Sequence, residues 1–328
     1  MAAICDFQLD IYRFWPHNGG MRQLCSLLGA TVLLLGAAGK NPFAGRWDLT
    51  VKTPTSSFPA WVEVVDKDGK PEARIQPRGG SVRPAHETKL DGGRLILTIS
   101  PAAEDRPAIT WELSVKSNVI TGAVKRGQDV QAQIGGQRAP ELKTKPAKNW
   151  TTPEALFNGK DLTWWEPGSP ADNHWVAENG ELVNKEAGSN LRTTGKFDDF
   201  KLHFEFNCPE GVNSGIFLRG RYQVQIEYAP EGVNDKVHGM GSIYGYVAAS
   251  KDLPKKPGEW ETMDITLVGR WVTVVRNGVT IIDNQEIPGI TGGALDSNED
   301  APGPFNLQGT HAAGVRFRNL TISVPKRT

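Results

Sequence analysis

The chain has 328 residues, 38% of them hydrophobic, with 37 basic and 37 acidic residues and a formal net charge of zero. Without a long like-charge run, this balance argues against nucleic acid or an anionic membrane surface as partner. The 36 glycines and 22 prolines favour many turns and hence β-structure, and the length suggests two domains.

From Met21 the chain reads MRQLCSLLGATVLLLGAAGK, a basic residue followed by an apolar run from Leu24 to Leu35 and then small residues. That is the pattern of a secretory signal peptide with cleavage after Ala38 or Gly39. The apolar run is too short for a transmembrane helix, so no membrane span is expected in the mature protein. Residues 1–20 have no place before such a signal, so residues 1–39 read as a mis-assigned start plus leader, with Met21 the true start. Removal of the leader leaves Cys208 alone and excludes an internal disulfide. An exported chain without disulfides fits a bacterial periplasm or the cell exterior.

Residues 40–140 alternate short strands and turns: Gly45–Val51, Ala60–Asp66, Glu87–Ser100, Ile109–Val115 and Asn118–Gly127. Six or so antiparallel strands predict a small barrel or sandwich, and Gly45-Arg46-Trp47 resembles the Gly-x-Trp opening of lipocalin-like barrels. With no cluster of His, Cys or carboxylates at metal spacing, this domain reads as accessory. The Pro- and Lys-rich residues 141–150 read as a linker.

Residues 151–328 carry Asn-Gly turns at Asn158-Gly159, Asn179-Gly180 and Asn277-Gly278, and VTVVRNGVTIID (Val272–Asp283) fits a two-residue hairpin. Further strands are expected at Glu181–Lys185, Phe200–Cys208, Trp260–Gly269 and Gly314–Val324. No helical face longer than a turn or two is visible, which predicts a two-sheet antiparallel sandwich.

Within this half, NSGIFLRGRYQVQIEY (Asn213–Tyr228) stands out. Asn213-Ser214-Gly215 reads as a tight polar turn, and a strand opens at Ile216. After a second turn, period-two alternation puts Val224 and Ile226 on one face and Gln223, Gln225 and Glu227 on the other. Arg219 is expected on that polar side. Such an amide-rich row suits a hydroxylated ligand; an ordinary solvated face is the alternative. The 10 tryptophans and 5 tyrosines of the chain are compatible with sugar stacking, although core packing accounts for most of them in most proteins.

Eight blocks now carry a resemblance in order: LFNGKDLTWW, HWVAENGELV, FDDFKLHFEF, NSGIFLRGRYQVQI, GSIYG, PGEWETMDI, RNGVTIIDN and GPFNLQGTHAAGVRFRNLTI. Over residues 151–324 the chain resembles the 3-keto-disaccharide hydrolase domain. The resemblance implies a concanavalin A-like, laminarinase-like jelly roll whose concave sheet binds carbohydrate. The chain departs from the common pattern at two places. Glu227 stands where Asp is usual, and Gly309-Thr310-His311 replaces a short Asp-His-Gly turn.

The resemblance also implies cleavage of a glycoside already oxidised to a ketone at C3. A base removes the acidified C2 proton, the C1 substituent leaves and water adds back. Such a route needs a base near C2, a cation or donor at the C3 oxygen and an acid at the leaving oxygen. No Glu-x-Asp-x-x-Glu run of the laminarinase kind is present. The candidates are Glu227 as base or metal ligand, Arg219 holding negative charge and His311 as acid or ligand. Glu205, Gln223, Gln225, Gln308 and Arg318 are candidates for contacting sugar hydroxyls, and Trp165, Tyr244 and Trp260 for stacking. A divalent metal ion as Lewis acid is consistent with the resemblance, but no His-x-His or His-Glu-x-x-His spacing marks a site. The expected partner is an oligosaccharide or glycoside. A non-catalytic carbohydrate-binding module and a cell-envelope interaction scaffold are the alternatives.

Overall fold

The computed structural model describes residues 41–228, 235–311 and 313–326, all outside the leader and start site expected in residues 1–39. Nine strands come first: β1 (Gly45–Lys52), β2 (Ser57–Lys67), β3 (Lys70–Gln76), β4 (Arg83–Pro84), β5 (Glu87–Asp91), β6 (Arg94–Ser100), β7 (Ile109–Lys116), β8 (Val119–Arg126) and β9 (Asp129–Arg138). They form one antiparallel sheet in the order β4-β3-β2-β1-β9-β8-β7-β6-β5. Its ends are stitched together between β4 and β5, where Ala85 N donates to Ala73 O and His86 N donates to Thr98 O, both at 2.8 Å. The sheet thereby curls into a barrel with no free edge at the seam. Trp47, Leu49, Val62, Ile75, Leu97 and Trp111 fill its interior. Six or so strands are expected from sequence and nine are found. β3 carries a proline and only two buried apolar side chains, Ala73 and Ile75, and β9 is rich in Gln and Gly, so neither alternates strongly.

The second half contains β10 (Glu154–Ala155), β11 (Trp165–Pro167), β12 (Trp175–Glu178), β13 (Glu181–Asn184), β14 (Leu191–Thr193), β15 (Phe200–Asn207) and β16 (Asn213–Leu218). It continues with β17 (Tyr222–Glu227), β18 (Trp260–Val268), β19 (Trp271–Arg276), β20 (Val279–Glu286), β21 (Asn306–Leu307) and β22 (Arg316–Ser323). The larger sheet has the order β12-β13-β22-β15-β18-β19-β20, with β10 also on β22, and the smaller sheet has the order β11-β14-β21-β16-β17. Leu202, Phe204, Phe206, Val224, Ile226 and Phe317 are among the buried side chains that join them into a jelly-roll sandwich. Asn277 and Gly278 both have positive φ, 50° and 76°, as a two-residue hairpin between β19 and β20 requires. One 3-10 turn, Pro170–Asp172, is the sole helical element among the described residues.

One local expectation is corrected. Asn213-Ser214-Gly215 is not a turn but the first half of β16, paired with Glu227, Ile226 and Gln225 of β17. The turn residues are Arg219 and Gly220, with φ of 51° and 70°.

The barrel and the sandwich meet through buried groups. Trp61, on the outer side of the barrel wall, is fully buried against Tyr246 of the sandwich, ring centroids 6.0 Å apart at 84°. Arg46 of β1 bridges Glu286 of β20 at 2.6 Å. Residues 139–150 are also held: Arg270 Nη1 donates to Pro140 O at 2.9 Å and Lys143 pairs with Asp198 at 3.1 Å.

At the centre lies Glu299, buried and gripped on both oxygens by Arg270 at 3.0 and 2.8 Å while Tyr222 Oη donates to it at 2.6 Å. Although burial raises the Glu299 carboxyl, Arg270 and its other donors hold it below the usual range. Asp48 of β1 is buried next to it and accepts no N–H or O–H hydrogen bond from the described residues outside this pair. Burial first, and then the Glu299 charge, push the Asp48 carboxyl up to about 9. Asp48 therefore stays protonated at neutral pH and donates to Glu299.

A carboxyl raised on folding from 3.8 to about 9 contributes stability that is full below the lower value and is lost progressively as pH rises through the higher one. Asp48→Asn offers Glu299 an N–H at every pH. Denaturant unfolding at about pH 5 and about pH 8 is expected to show a drop in stability for the wild type and a flatter profile for the variant.

Candidate functional site

The register of β16 and β17 builds the site. Asn213 faces Glu227, Gly215 faces Gln225 and Phe217 faces Gln223. Tyr222, Val224 and Ile226 point into the sandwich core, so the intervening side chains rise from the opposite surface of the smaller sheet. Gly215 is required here, because a Cβ would lie 2.6 Å from Gln223 Nε2 and 2.9 Å from Val224 O.

On this surface the amides form a connected row. Gln223 Nε2 donates to Gln225 Oε1 and to Gln308 Oε1, both at 2.8 Å. Gln225 Nε2 donates to Glu227 Oε2 at 2.7 Å, and Asn213 Nδ2 donates to the same oxygen at 2.7 Å. One carboxylate oxygen of Glu227 is thus fixed by two donors. Among the described residues the other, Oε1, accepts none. Gln308 is placed by its backbone: its N donates to Gly215 O at 2.9 Å and its O accepts from Ser214 Oγ at 2.8 Å.

Asn213, Gln223 and Gln308 of this row border a groove of about 370 Å³. Asn213, Phe217, Gln223 and Gln308 lie along its floor, and Asn190, Thr310, His311 and Tyr244 line it from neighbouring loops. Asn190 Oδ1 accepts from Gly309 N at 3.0 Å and so sets the course of the Thr310-His311 loop, both of whose residues are exposed. Tyr244 N donates to Gln223 O at 3.0 Å, which adds its segment to the edge of β17. His238 packs edge-on against the Tyr244 ring at 4.7 Å and holds Asp235 at 2.6 Å. Among the described residues no acceptor engages Gln308 Nε2, Asn190 Nδ2 or Tyr244 Oη, so three neutral donors remain available in the groove. Gly79 and Gly80 of the barrel and Gly292 and Gly293 complete its lining.

Of the residues anticipated from sequence, Gln223, Gln308, Tyr244 and His311 line this groove. Gln225 and Glu227 stand one hydrogen bond behind Gln223 and Asn213. Arg219 is not among them. Its left-handed backbone breaks the alternation, and its buried guanidinium turns to Asp198 at 3.1 Å, Gly269 O at 3.0 Å and Tyr222 Oη at 3.1 Å. Glu205, Arg318 and Trp260 form a separate group: Arg318 binds Glu205 at 2.7 Å and lies over the Trp260 ring at 4.0 Å. They belong to β15, β22 and β18 of the larger sheet, so strand pairing keeps them off the smaller one. Trp165 is core, with Nε1 donating to Leu156 O at 2.9 Å. Asn190, Asn213 as an amide donor, and Gly79-Gly80 are contributors that alternation does not single out.

Among the described residues no three His, Cys, Asp or Glu side chains converge to hold a metal ion. The groove lining offers one exposed imidazole and no carboxylate, Glu227 standing behind Asn213, a donor set that does not fit a protein-bound divalent cation.

Residues 152–323 match the family model of the 3-keto-alpha-glucoside-1,2-lyase-like domain. The chain belongs to this family. Among solved structures, it is similar to a "putative glycosyl hydrolase" from Parabacteroides distasonis, at 30% identity over 53% of this chain and 84% of that one, TM-score 0.45. A second protein of the same description and organism matches at 25% identity over 53% and 98%, TM-score 0.41. No curated protein sequence matches the chain significantly. The lyase-like domain spans the sandwich, including the amide row, Asn190, Tyr244 and His311, and excludes the barrel with Gly79 and Gly80.

The close fit under Gln223 yields a prediction. Gly215→Ala forces the Gln223 side chain and the β17 backbone to give way, an overpacking that costs about 1–3 kcal/mol. A lowered melting temperature together with weakened sugar binding is the expected result, measured by calorimetry.

Proposed function

We propose that the protein is a carbohydrate-active enzyme that cleaves 3-keto-glycosides, with Glu227 as the base. The supporting observation is the state of Glu227: one carboxylate oxygen pinned by Gln225 and Asn213, the other unengaged, beside an amide-lined groove in a lyase-like domain. A base held in one orientation with a free lone pair is what proton abstraction requires.

In this reading the sugar hydroxyls exchange hydrogen bonds with the groove amides, and the ring stacks against Tyr244. Glu227 Oε1 takes the C2 proton, and the electron pair moves toward C3, placing negative charge on the ketone oxygen. Gln308 Nε2 and Asn190 Nδ2 are the donors available to that oxygen, in place of the guanidinium expected from sequence. The charge then returns to form a C1–C2 double bond and expels the C1 oxygen, which takes a proton from His311 when that imidazole is charged. Water adds across the double bond, its hydroxyl to C1 and its proton to C2, releasing the free 3-keto sugar.

A non-catalytic carbohydrate-binding role is the second reading. It is favoured by a groove lining whose side chains are amide and aromatic apart from Thr310 and His311. The two readings separate in one experiment. Glu227→Gln keeps an acceptor for both Gln225 and Asn213 but removes the base. Release of aglycone from a 3-keto-glucoside by the wild type, lost by at least about a hundredfold in the variant at unchanged melting temperature, supports the enzyme. Sugar binding without release by the wild type supports the binding module instead.

A further inference from the structure

The family domain stops short of the barrel, yet the barrel reaches the groove. Its Pro77–Ser81 loop is shaped by Gln76, whose Nε2 donates to Pro77 O and Gly80 O, both at 3.0 Å. The loop tip lies on the Gly292-Gly293 segment: Gly293 N donates to Arg78 O at 3.4 Å, and a Cβ at Gly292 would fall 2.1 Å from Gly80 O. Gly293 in turn covers Phe217, where a Cβ would meet the ring at 3.0 Å. On the loop's far side the Ser81 hydroxyl is hydrogen-bonded to His238 Nε2, and Asp235 holds the other ring nitrogen at 2.6 Å. The Asp235-His238-Ser81 line therefore ties the loop to the segment that carries Tyr244.

These contacts all gather at the Phe217 end of the groove. At the other end, about 13 Å along β16 at ordinary strand rise, stands Asn213, the end toward which the antiparallel chain runs from Gln308 to the exposed His311. We propose that the barrel loop is part of the ligand site: Gly79 and Gly80 close one end of the groove and restrict it to short glycosides that terminate there, excluding internal units of a longer chain. This rests on the reading of the groove as a saccharide site.

Gly79 makes the test direct. It lies on the groove, and a Cβ added there would meet no atom within 4 Å. Gly79→Trp should fill the closed end without disturbing the fold. Asp105→Trp, on a barrel loop outside the groove, is the matched control. With a 3-keto-disaccharide as substrate, Gly79→Trp is expected to raise KM at least about tenfold at unchanged melting temperature, and the control to leave KM unchanged. The wild type is expected to reject an oligosaccharide whose keto unit is internal. Unchanged KM in Gly79→Trp, or equal turnover of the internal keto unit by the wild type, overturns the inference while leaving the groove reading intact. A wild type that neither binds nor cleaves the disaccharide overturns the groove reading, and this inference with it.

Discussion

Glu299 is the group on which the arrangement most depends. Its carboxylate is removed from water, and its ionised form is held by a two-point grip from Arg270 and a hydrogen bond from Tyr222. Breaking one side of such a pair leaves a buried charge without compensation, at about 3–5 kcal/mol, far more than an exposed pair is worth. The same carboxylate accepts a hydrogen bond from the protonated Asp48 of the barrel, and its chain segment runs back to Gly292 and Gly293 at the groove. Tyr222 in turn is the first residue of β17, the strand that carries Gln223, Gln225 and Glu227. One buried charge thus couples the position of the barrel, the start of the amide-bearing strand and the closed end of the groove.

The two sheets divide the remaining polar side chains between distinct tasks. On the larger sheet, Glu205, Arg318, Asn319 and Trp260 satisfy one another. On the smaller sheet the amides bond in a line that ends on Glu227, leaving donors at Gln308 and Asn190 unengaged. A half-satisfied polar row in a depression costs desolvation unless water or ligand completes it. Groups held in place with unused hydrogen-bonding capacity suit exchange with sugar hydroxyls, whereas the self-satisfied group on the larger sheet suits stability.

Alternation made much of this legible. The faces of β17, the inward Phe204 and Phe206 of β15, and the Asn277-Gly278 hairpin all follow from period two and turn chemistry. What alternation does not carry is which sheet a strand joins. Glu205 lies on the outward face of β15, yet that face belongs to a different sheet from Gln225. Arg219 was hidden for another reason. A non-glycine residue at φ of 51° resets the alternation, and the neighbouring Gly220 marks the turn without showing that it begins one residue earlier. The barrel's contribution at Gly79 and Gly80 was least legible, because a loop of exposed glycines carries neither periodicity nor chemistry of its own.

Small residues at Gly79, Gly80, Gly292 and Gly293 allow backbone to approach backbone, so the closed end is built from peptide groups rather than side chains. A wall of peptide presents a fixed outline and reorganises little when a ligand arrives, which lowers the ordering cost of binding. Asn213, Gln223, Gln225 and the carboxylate proposed as base lie on β16 and β17 of the sandwich, held by ladder hydrogen bonds. The outline that would limit ligand length is borrowed from the barrel, held there by the Ser81–His238 tie and the Arg78–Gly293 hydrogen bond together with the Asp48–Glu299, Trp61–Tyr246 and Arg46–Glu286 contacts.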